Sequence, residues 1–285
     1  MKSPFLSGLP LAEQVAAHIL RKQAQRIGER VFVVCGDERI TYAEADQRAD
    51  RMADAIAGLG IAKGERVAIL LKNRIEYLDL WFGLSRAGAI QLPLNTAYKS
   101  LQLLHTLKRA LVSAVVVEDQ LLPELEVIID QIHGVKVLLV VGTAKPRCKC
   151  KHLFLNDILS SSRAWHDALE AVTGADIGAI MNTSGTTGPS KGVLLSHGSQ
   201  LFTVEQYTSG GFFMSTDERI LVSAPMYHKN AMVQTKVNLA LGGQIVLMAR
   251  FDAEAYLRAV ADHRVTSLTG VPTMFALMTA RSDLL

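Results

Sequence analysis

Ile177-Gly178-Ala179-Ile180-Met181-Asn182-Thr183-Ser184-Gly185-Thr186-Thr187-Gly188-Pro189-Ser190-Lys191-Gly192-Val193-Leu194-Leu195 is an apolar run, a polar loop and a second apolar run. Residues 177–182 and 192–195 read as strands, so the loop between them is held at the end of a sheet. Open parallel sheets bind ligands just outside the carboxyl ends of their strands. Glycines in such a loop let consecutive amides turn inward as a concave anion site. Thr183, Ser184, Thr186 and Thr187 add hydroxyl donors, and Lys191 adds a positive charge. The combination suits a polyphosphate. An ammonium about 4 Å from a phosphate charge is worth roughly 1 kcal/mol in water and about 4 kcal/mol at an intermediate dielectric, so the lysine matters most where solvent is excluded.

Outward from this loop, the chain alternates short β-branched runs with helical patterns. Strands are expected at residues 31–35, 39–41, 66–71, 88–92, 113–117, 136–141, 220–224, 244–248 and 266–270. Between them, helices are expected at 75–86, 99–110 and 121–132, behind Ser196, and from about Ala231 and Ala253. Thr41-Tyr42-Ala43-Glu44 has the spacing of a capping box, and Gly58 and Gly60 stop the helix behind it. Pro272 sits at the first position of one more helix. Apolar strands alternating with helices predict an α/β fold: parallel sheets with helices on both faces. Turn-rich, basic 142–151 and Ser160 to Ser162 interrupt the alternation. They suggest a first lobe over residues 1–170 and a second over 171–285 that carries the loop.

Composition narrows the function classes. Hydrophobic residues at 49% and charged residues at 20% are the balance of a folded chain able to bury a large core. The net charge, 30 − 27 = +3, is small and scattered, and aromatics are only 6%. Neither a basic face nor a stacking platform for nucleic acid is implied, so no nucleic-acid partner is expected. Three cysteines imply no disulfide framework, which favours a reducing, cytoplasmic setting. No run is long and apolar enough to cross a bilayer. Residues 11–27 could form an amphipathic helix. Peripheral attachment to a membrane is one reading of that pattern, and docking on its own domain is the commoner one.

The loop is not the nucleoside-triphosphatase P-loop, because Ser190 stands where glycine must precede the lysine. The hydroxyls of Thr183, Ser184, Thr186 and Thr187, with three glycines and a lysine in this order, also set it apart from an ordinary surface loop. It resembles the signature loop of the adenylate-forming superfamily, which includes AMP-forming acyl-CoA synthetases, peptide-synthetase adenylation domains and beetle luciferases. The family form S-G-T-T-G-x-P-K-G appears here as Ser184 to Gly192 with proline and serine exchanged. Further blocks occur in the family's order. They are Ile40 to Glu44 with Lys63 to Ala68, Arg86 to Ile90 with Pro93 to Asn95, Ala224-Pro225-Met226-Tyr227-His228, and Gly270 to Thr273.

The resemblance implies the N-terminal domain of the acyl-CoA synthetase-like fold, with stacked, mostly parallel sheets. It also implies the family's chemistry. A small-molecule carboxylate attacks the α-phosphate of ATP, an acyl-adenylate and pyrophosphate form, and coenzyme A takes the acyl group, as in fatty acid metabolism. By the same resemblance Thr183, Ser184, Gly185, Thr186, Thr187, Gly188 and Lys191 hold the phosphates, and His228 lies beside the nucleotide and the acyl carboxylate. Met226, Asn230, Met232 and Val233 would form the near wall of the acyl pocket. The family's Y-G-x-T-E and T-G-D blocks, the first supplying the main Mg2+ ligand, do not occur before Leu285, nor does the C-terminal domain with its lysine. The chain is therefore expected to be an N-terminal portion, an expressed piece or a shortened gene product. On its own it would bind ATP weakly, catalyse little and self-associate through exposed apolar surface. Loading of a carrier protein, or a non-catalytic scaffold keeping the fold, are the alternatives.

Other constellations are weaker. Cys148-Lys149-Cys150-Lys151-His152 lacks the fourth ligand and the spacing of a structural zinc site, so no metal ligand is assigned. Cys35 reads as a core residue, and His197 as a helix-start residue near the loop.

Overall fold

The computed structural model describes residues 8–162, 172–183, 191–209 and 215–281. Strands and helices are numbered in chain order. One sheet has seven strands in the order β7 (His152–Phe154), β6 (Val137–Val141), β5 (Ala114–Glu118), β3 (Arg66–Leu70), β4 (Ile90–Pro93), β8 (Ile177–Thr183) and β9 (Lys191–Ser196). The other has five, in the order β12 (Ser267–Leu268), β10 (Arg219–Val222), β11 (Gln244–Leu247), β1 (Val31–Cys35) and β2 (Glu38–Thr41). All neighbours run parallel except the hairpins β1–β2 and β8–β9. The helices among the described residues are α1 (Ala16–Ile27), α2 (Tyr42–Gly58), α3 (Ile75–Ala87), α4 (Ser100–Ala110), α5 (Leu122–Glu126), α6 (Leu155–Ser161), α7 (His197–Ser209), α8 (Lys229–Leu241), α9 (Ala253–Asp262) and α10 (Pro272–Thr279).

The apolar strands β3, β5 and β6 divide by the two-residue period of a strand. Val67, Ile69, Ala114, Val116, Val137 and Leu139 face the large core shared with the second sheet. Ala68, Leu70, Val115, Val117, Leu138 and Val140 face a separate core under α4 and α5. Helices cover both faces, as the unbroken apolar runs predict. Helix α3 is buried on nearly every side, and α8 is buried from Ala231 except at Gln234. A helix covered all round is apolar all round, so the few polar groups it carries stand out. In α8 these include Lys236, which is 7% exposed.

Local signals set several helix ends, the first of them as expected. Thr41 and Glu44 exchange both capping-box bonds at the start of α2. Gly88, at φ 69°, caps α3 in the left-handed region. Asp252 caps α9 by accepting from the Ala255 amide.

Other segments depart from the sequence reading. The single helix expected over 121–132 is only α5, flanked by 3₁₀ turns, because Val127, Ile128 and Ile129 crowd β-branched side chains where it would continue. Strand β7 and helix α6 lie in a stretch to which the sequence reading assigns no element, and α6 runs into Ser160 and Ser161, read as loop. Both sheets also take strands from either side of residue 170: β1 pairs with β11, and β4 pairs with β8. Of residues 11–27, only α1 is α-helical, and its buried Ala16, Ala17, Ile19, Leu20 and Gln23 dock on the protein's own core. Gln23 Nε2 donates to the Leu239 and Ala240 carbonyls of α8. No helix among the described residues is long and apolar enough to cross a membrane.

Candidate active site

The loop expected to hold phosphates leaves the carboxyl end of β8 and returns as β9. Thr183 and Lys191 are the last paired residues of that hairpin, and the Thr183 hydroxyl donates to the Lys191 carbonyl at 3.3 Å. Both side chains are exposed at the base of the loop. Ser184, Gly185, Thr186, Thr187 and Gly188 lie outside the described residues. Strand β8 runs parallel to β4 and β4 to β3, so the loop springs from the same sheet edge as Lys72-Asn73-Arg74 after β3.

At that edge a cleft of about 1190 Å³ opens between the two sheets. The seven-stranded sheet contributes Lys72, Asn73, Arg74, Glu118, Asp119 and Gly142 from beyond β3, β5 and β6. The five-stranded sheet contributes Ser223, Pro225, Tyr227 and His228 after β10, and Arg250 and Phe251 after β11. The cleft therefore lies where parallel sheets place ligands. Thr183 and Lys191 are not among its lining residues; they stand two strands along the same edge.

His228 precedes the first turn of α8, with its amide bonded to the Pro225 carbonyl at 2.9 Å. Its ring lies 4.5 Å from that of Tyr227, and burial lowers its basicity below the ordinary histidine value. The imidazole is thus largely neutral at pH 7, able to donate from one nitrogen and accept at the other. Of the four residues expected to form the acyl wall, Asn230 lines the cleft. Met226, in the turn before α8, and Met232 and Val233 on α8 are buried in the main core instead.

Several cleft groups were not singled out from the sequence. Asn73 Nδ2 donates to the Ala224 and Met248 carbonyls at 2.9 and 3.0 Å, and Asn73 Oδ1 accepts from the Met226 amide at 2.7 Å. This side chain, 5% exposed, joins the two sheets at the cleft floor and holds the turn leading to His228. Arg74 pairs with Glu76 at 2.7 Å, and Lys72 faces Glu118 at 3.7 Å. Asp119 accepts from the Thr143 and Ala144 amides. Arg250 is exposed and has no carboxylate partner among the described residues. The usable signal for Lys72, Asn73 and Arg74 was their position directly after a strand.

The donor set fits an anionic ligand such as a nucleotide phosphate or a carboxylate. Glu118 and Asp119 are already engaged as acceptors. Among the described residues no group of three or more His, Cys, Asp or Glu side chains is arranged to hold a metal ion. Cys148 and Cys150 direct their thiols at backbone carbonyls, those of Cys150 and Lys151.

Residues 20–284 match the family model described as AMP-binding enzyme. The chain belongs to that family. A medium/long-chain-fatty-acid–CoA/3-oxocholest-4-en-26-oate–CoA ligase of Mycobacterium marinum is 29% identical over 262 residues, covering 85% of this chain and 47% of the relative. A feruloyl-CoA synthase of an Amycolatopsis species is 31% identical over 247 residues, covering 86% and 46%. The chain thus spans about half the length of the curated relatives it matches. The N-terminal domain of FACL13 from Mycobacterium tuberculosis superposes with a TM-score of 0.81 at 27% identity, over 95% of this chain and 66% of the other. The anthranilate CoA ligase AuaEII gives 0.91 at 23% identity, over 100% and 54%, and shows the shared fold.

Proposed function

We propose that this AMP-binding chain is the N-terminal part of an acyl-CoA ligase that converts a carboxylate and ATP to an acyl-adenylate and pyrophosphate, and then to a CoA thioester. The observation that carries the reading is one sheet edge. The glycine- and hydroxyl-rich loop with Lys191 springs from it, and the cleft holding His228 opens along it. The curated relatives' names, ligases joining fatty acids or ferulate to CoA, support a carboxylate as substrate.

In this reading the loop from Thr183 to Lys191 surrounds the β- and γ-phosphates. Fixed donors there stabilise the charge that grows on departing pyrophosphate. The neutral His228 imidazole donates a hydrogen bond to the substrate carboxylate and orients one oxygen toward the α-phosphate. Arg250 offers the incoming anions an uncompensated positive charge. Mg2+, when bound with ATP, offsets phosphate charge. Exposed Val193 and Leu194 on β9, Phe202 on α7 and Phe275 and Leu277 on α10 support self-association, with an apparent mass that rises with concentration in light scattering.

Calorimetry with pyrophosphate, ATP and a nonhydrolysable acyl-adenylate analogue tests the assignment. Saturable binding is expected, with Lys191→Ala weakening pyrophosphate about tenfold, the effect of ~1.4 kcal/mol. His228→Ala should weaken the adenylate analogue and leave pyrophosphate unchanged. Absence of saturable binding of all three, as expected of a pure scaffold, or equal affinity in both variants, overturns the reading. ATP–pyrophosphate exchange by this chain alone should be slow.

A further inference from the structure

Away from the cleft, α3, α7, α8, β4 and β8 enclose a second, much smaller cavity of about 10 Å³. That is room for about one water-sized sphere. Its walls are unusually polar for so deep a place. Lys236 from α8, Trp81 and Ser85 from α3, Gln91 from β4 and His197 from α7 are all at most 7% exposed. Gln200, also from α7, completes the polar lining.

The partners of these groups are few. Lys236 Nζ donates to Gln200 Oε1 and sits 4.8 Å from the centre of the Trp81 ring. Gln91 Nε2 donates to the Trp81 carbonyl at 2.7 Å, which fixes that amide. Trp81 Nε1, Ser85 Oγ, Gln91 Oε1 and His197 Nε2 have no hydrogen-bond partner among the described residues. Buried polar atoms in native proteins are nearly always satisfied, and a cluster of orphans around one cavity points to an occupant. Gly178 of β8 makes the arrangement sterically possible, since a Cβ there would fall 2.6–2.9 Å from three atoms of the His197 ring.

The lining is rich in donors and carries a positive charge. The indole and ammonium groups only donate, and Ser85 and His197 can donate. Gln91 Oε1 is the one orphan confined to accepting. No carboxylate forms an ion pair with Lys236 among the described residues. The nearby acid, Asp176 in the turn before β8, is paired with Lys63 at 2.9 Å. A buried ammonium without a counter-charge is strongly disfavoured. A water could bridge the orphaned atoms, but wherever Lys236 is protonated it would leave that charge uncompensated.

We propose that this chamber is a binding site for a single monovalent anion of halide size, chloride under ordinary conditions, held by Lys236, Trp81, Ser85 and His197. The anion ties α3, α7 and α8 together behind the strand that carries the phosphate-facing loop. Burial pushes the empty site's Lys236 down to about 7, so halide uptake is coupled to proton uptake and weakens as pH rises through that range. His197 is held near 4 by burial and by Lys236, with Asp176 acting in the opposite sense and His18 and Lys63 in the same sense. It stays neutral across the same window.

The test is thermal unfolding in chloride or bromide against gluconate at equal ionic strength and pH 6.5, with the wild-type chain and Lys236→Met. Wild type should gain on the order of 4 °C at saturating halide, with the gain shrinking at pH 8.5, and the variant should gain nothing. A bromide-soaked crystal of the wild type should show an anomalous peak within hydrogen-bond distance of Lys236 Nζ and Trp81 Nε1, a readout independent of how the variant folds. A stability indifferent to halide, the same gain in Lys236→Met, or a water without anomalous signal at that position overturns the proposal.

Discussion

Replacing Asn73 with alanine removes the side chain that ties the two sheets together beside His228. Three hydrogen bonds of 2.7–3.0 Å disappear, all made by a side chain only 5% exposed. A typical hydrogen bond contributes about 1 kcal/mol net, while a buried group left unsatisfied costs roughly 1–3 kcal/mol. The Ala224 and Met248 carbonyls adjoin the cleft, where water can reach them in part, which leaves the Met226 amide as the costliest orphan. The sum is a loss of about 3–4 kcal/mol, or a fall in Tm of roughly 6–10 °C for a chain of this size. Urea unfolding followed by tryptophan fluorescence measures the first figure, and calorimetry the second. Asn73→Asp sharpens the comparison. It keeps an acceptor for Met226 but turns the donor into an oxygen facing two carbonyls, so it should cost at least as much as alanine at pH 7. In both variants the His228 proton resonances should report a pKa closer to the ordinary histidine value, because the turn that carries the ring has lost its anchor. A cost below about 1 kcal/mol for Asn73→Ala, with His228 unmoved, would refute the claim that this residue holds the cleft floor.

His197 is depressed from 6.5 to about 4, chiefly by burial. The unfolded chain therefore takes up a proton below pH 6.5 that the folded chain refuses, and stability should fall as pH drops from about 6.5 to about 4, by up to ~3 kcal/mol. Urea titrations of wild type and His197→Gln across that window should show a difference that shrinks toward pH 4; a constant difference would be inconsistent with the burial. Gly178→Ala would drive a methyl group into the His197 ring and should lower stability by about 1–3 kcal/mol. A variant as stable as wild type would mean that the ring does not pack on that strand.

Much of this molecule is written in short stretches. The capping box at Thr41, the glycine stop at Gly58 and Gly60 and the all-buried pattern of β5 and β6 follow from neighbours a few residues apart, and they appear where the sequence places them. The loop between β8 and β9 was legible for the same reason: hydroxyls, glycines and a lysine bounded by two apolar runs. His228 was legible only through family resemblance, since nothing local distinguishes it from other histidines. The three-residue strand β7 escaped notice because it is too short to show a period, and it exists through its pairing with β6.

Sequence alone determined the class of fold, the position of the loop and the chemistry that loop suits, because hydrophobic period, caps and turn residues act over a few positions. Only the tertiary structure decided which strands share a sheet, with β1 beside β11 and β8 beside β4. It alone made Asn73 a clasp between sheets and enclosed Lys236 without a carboxylate ion-pair partner among the described residues. In the sequence that lysine looks like any other on a helix. Its burial arises when α3 and α7, built from residues far from it along the chain, close over it, and no local pattern encodes which distant surfaces will meet.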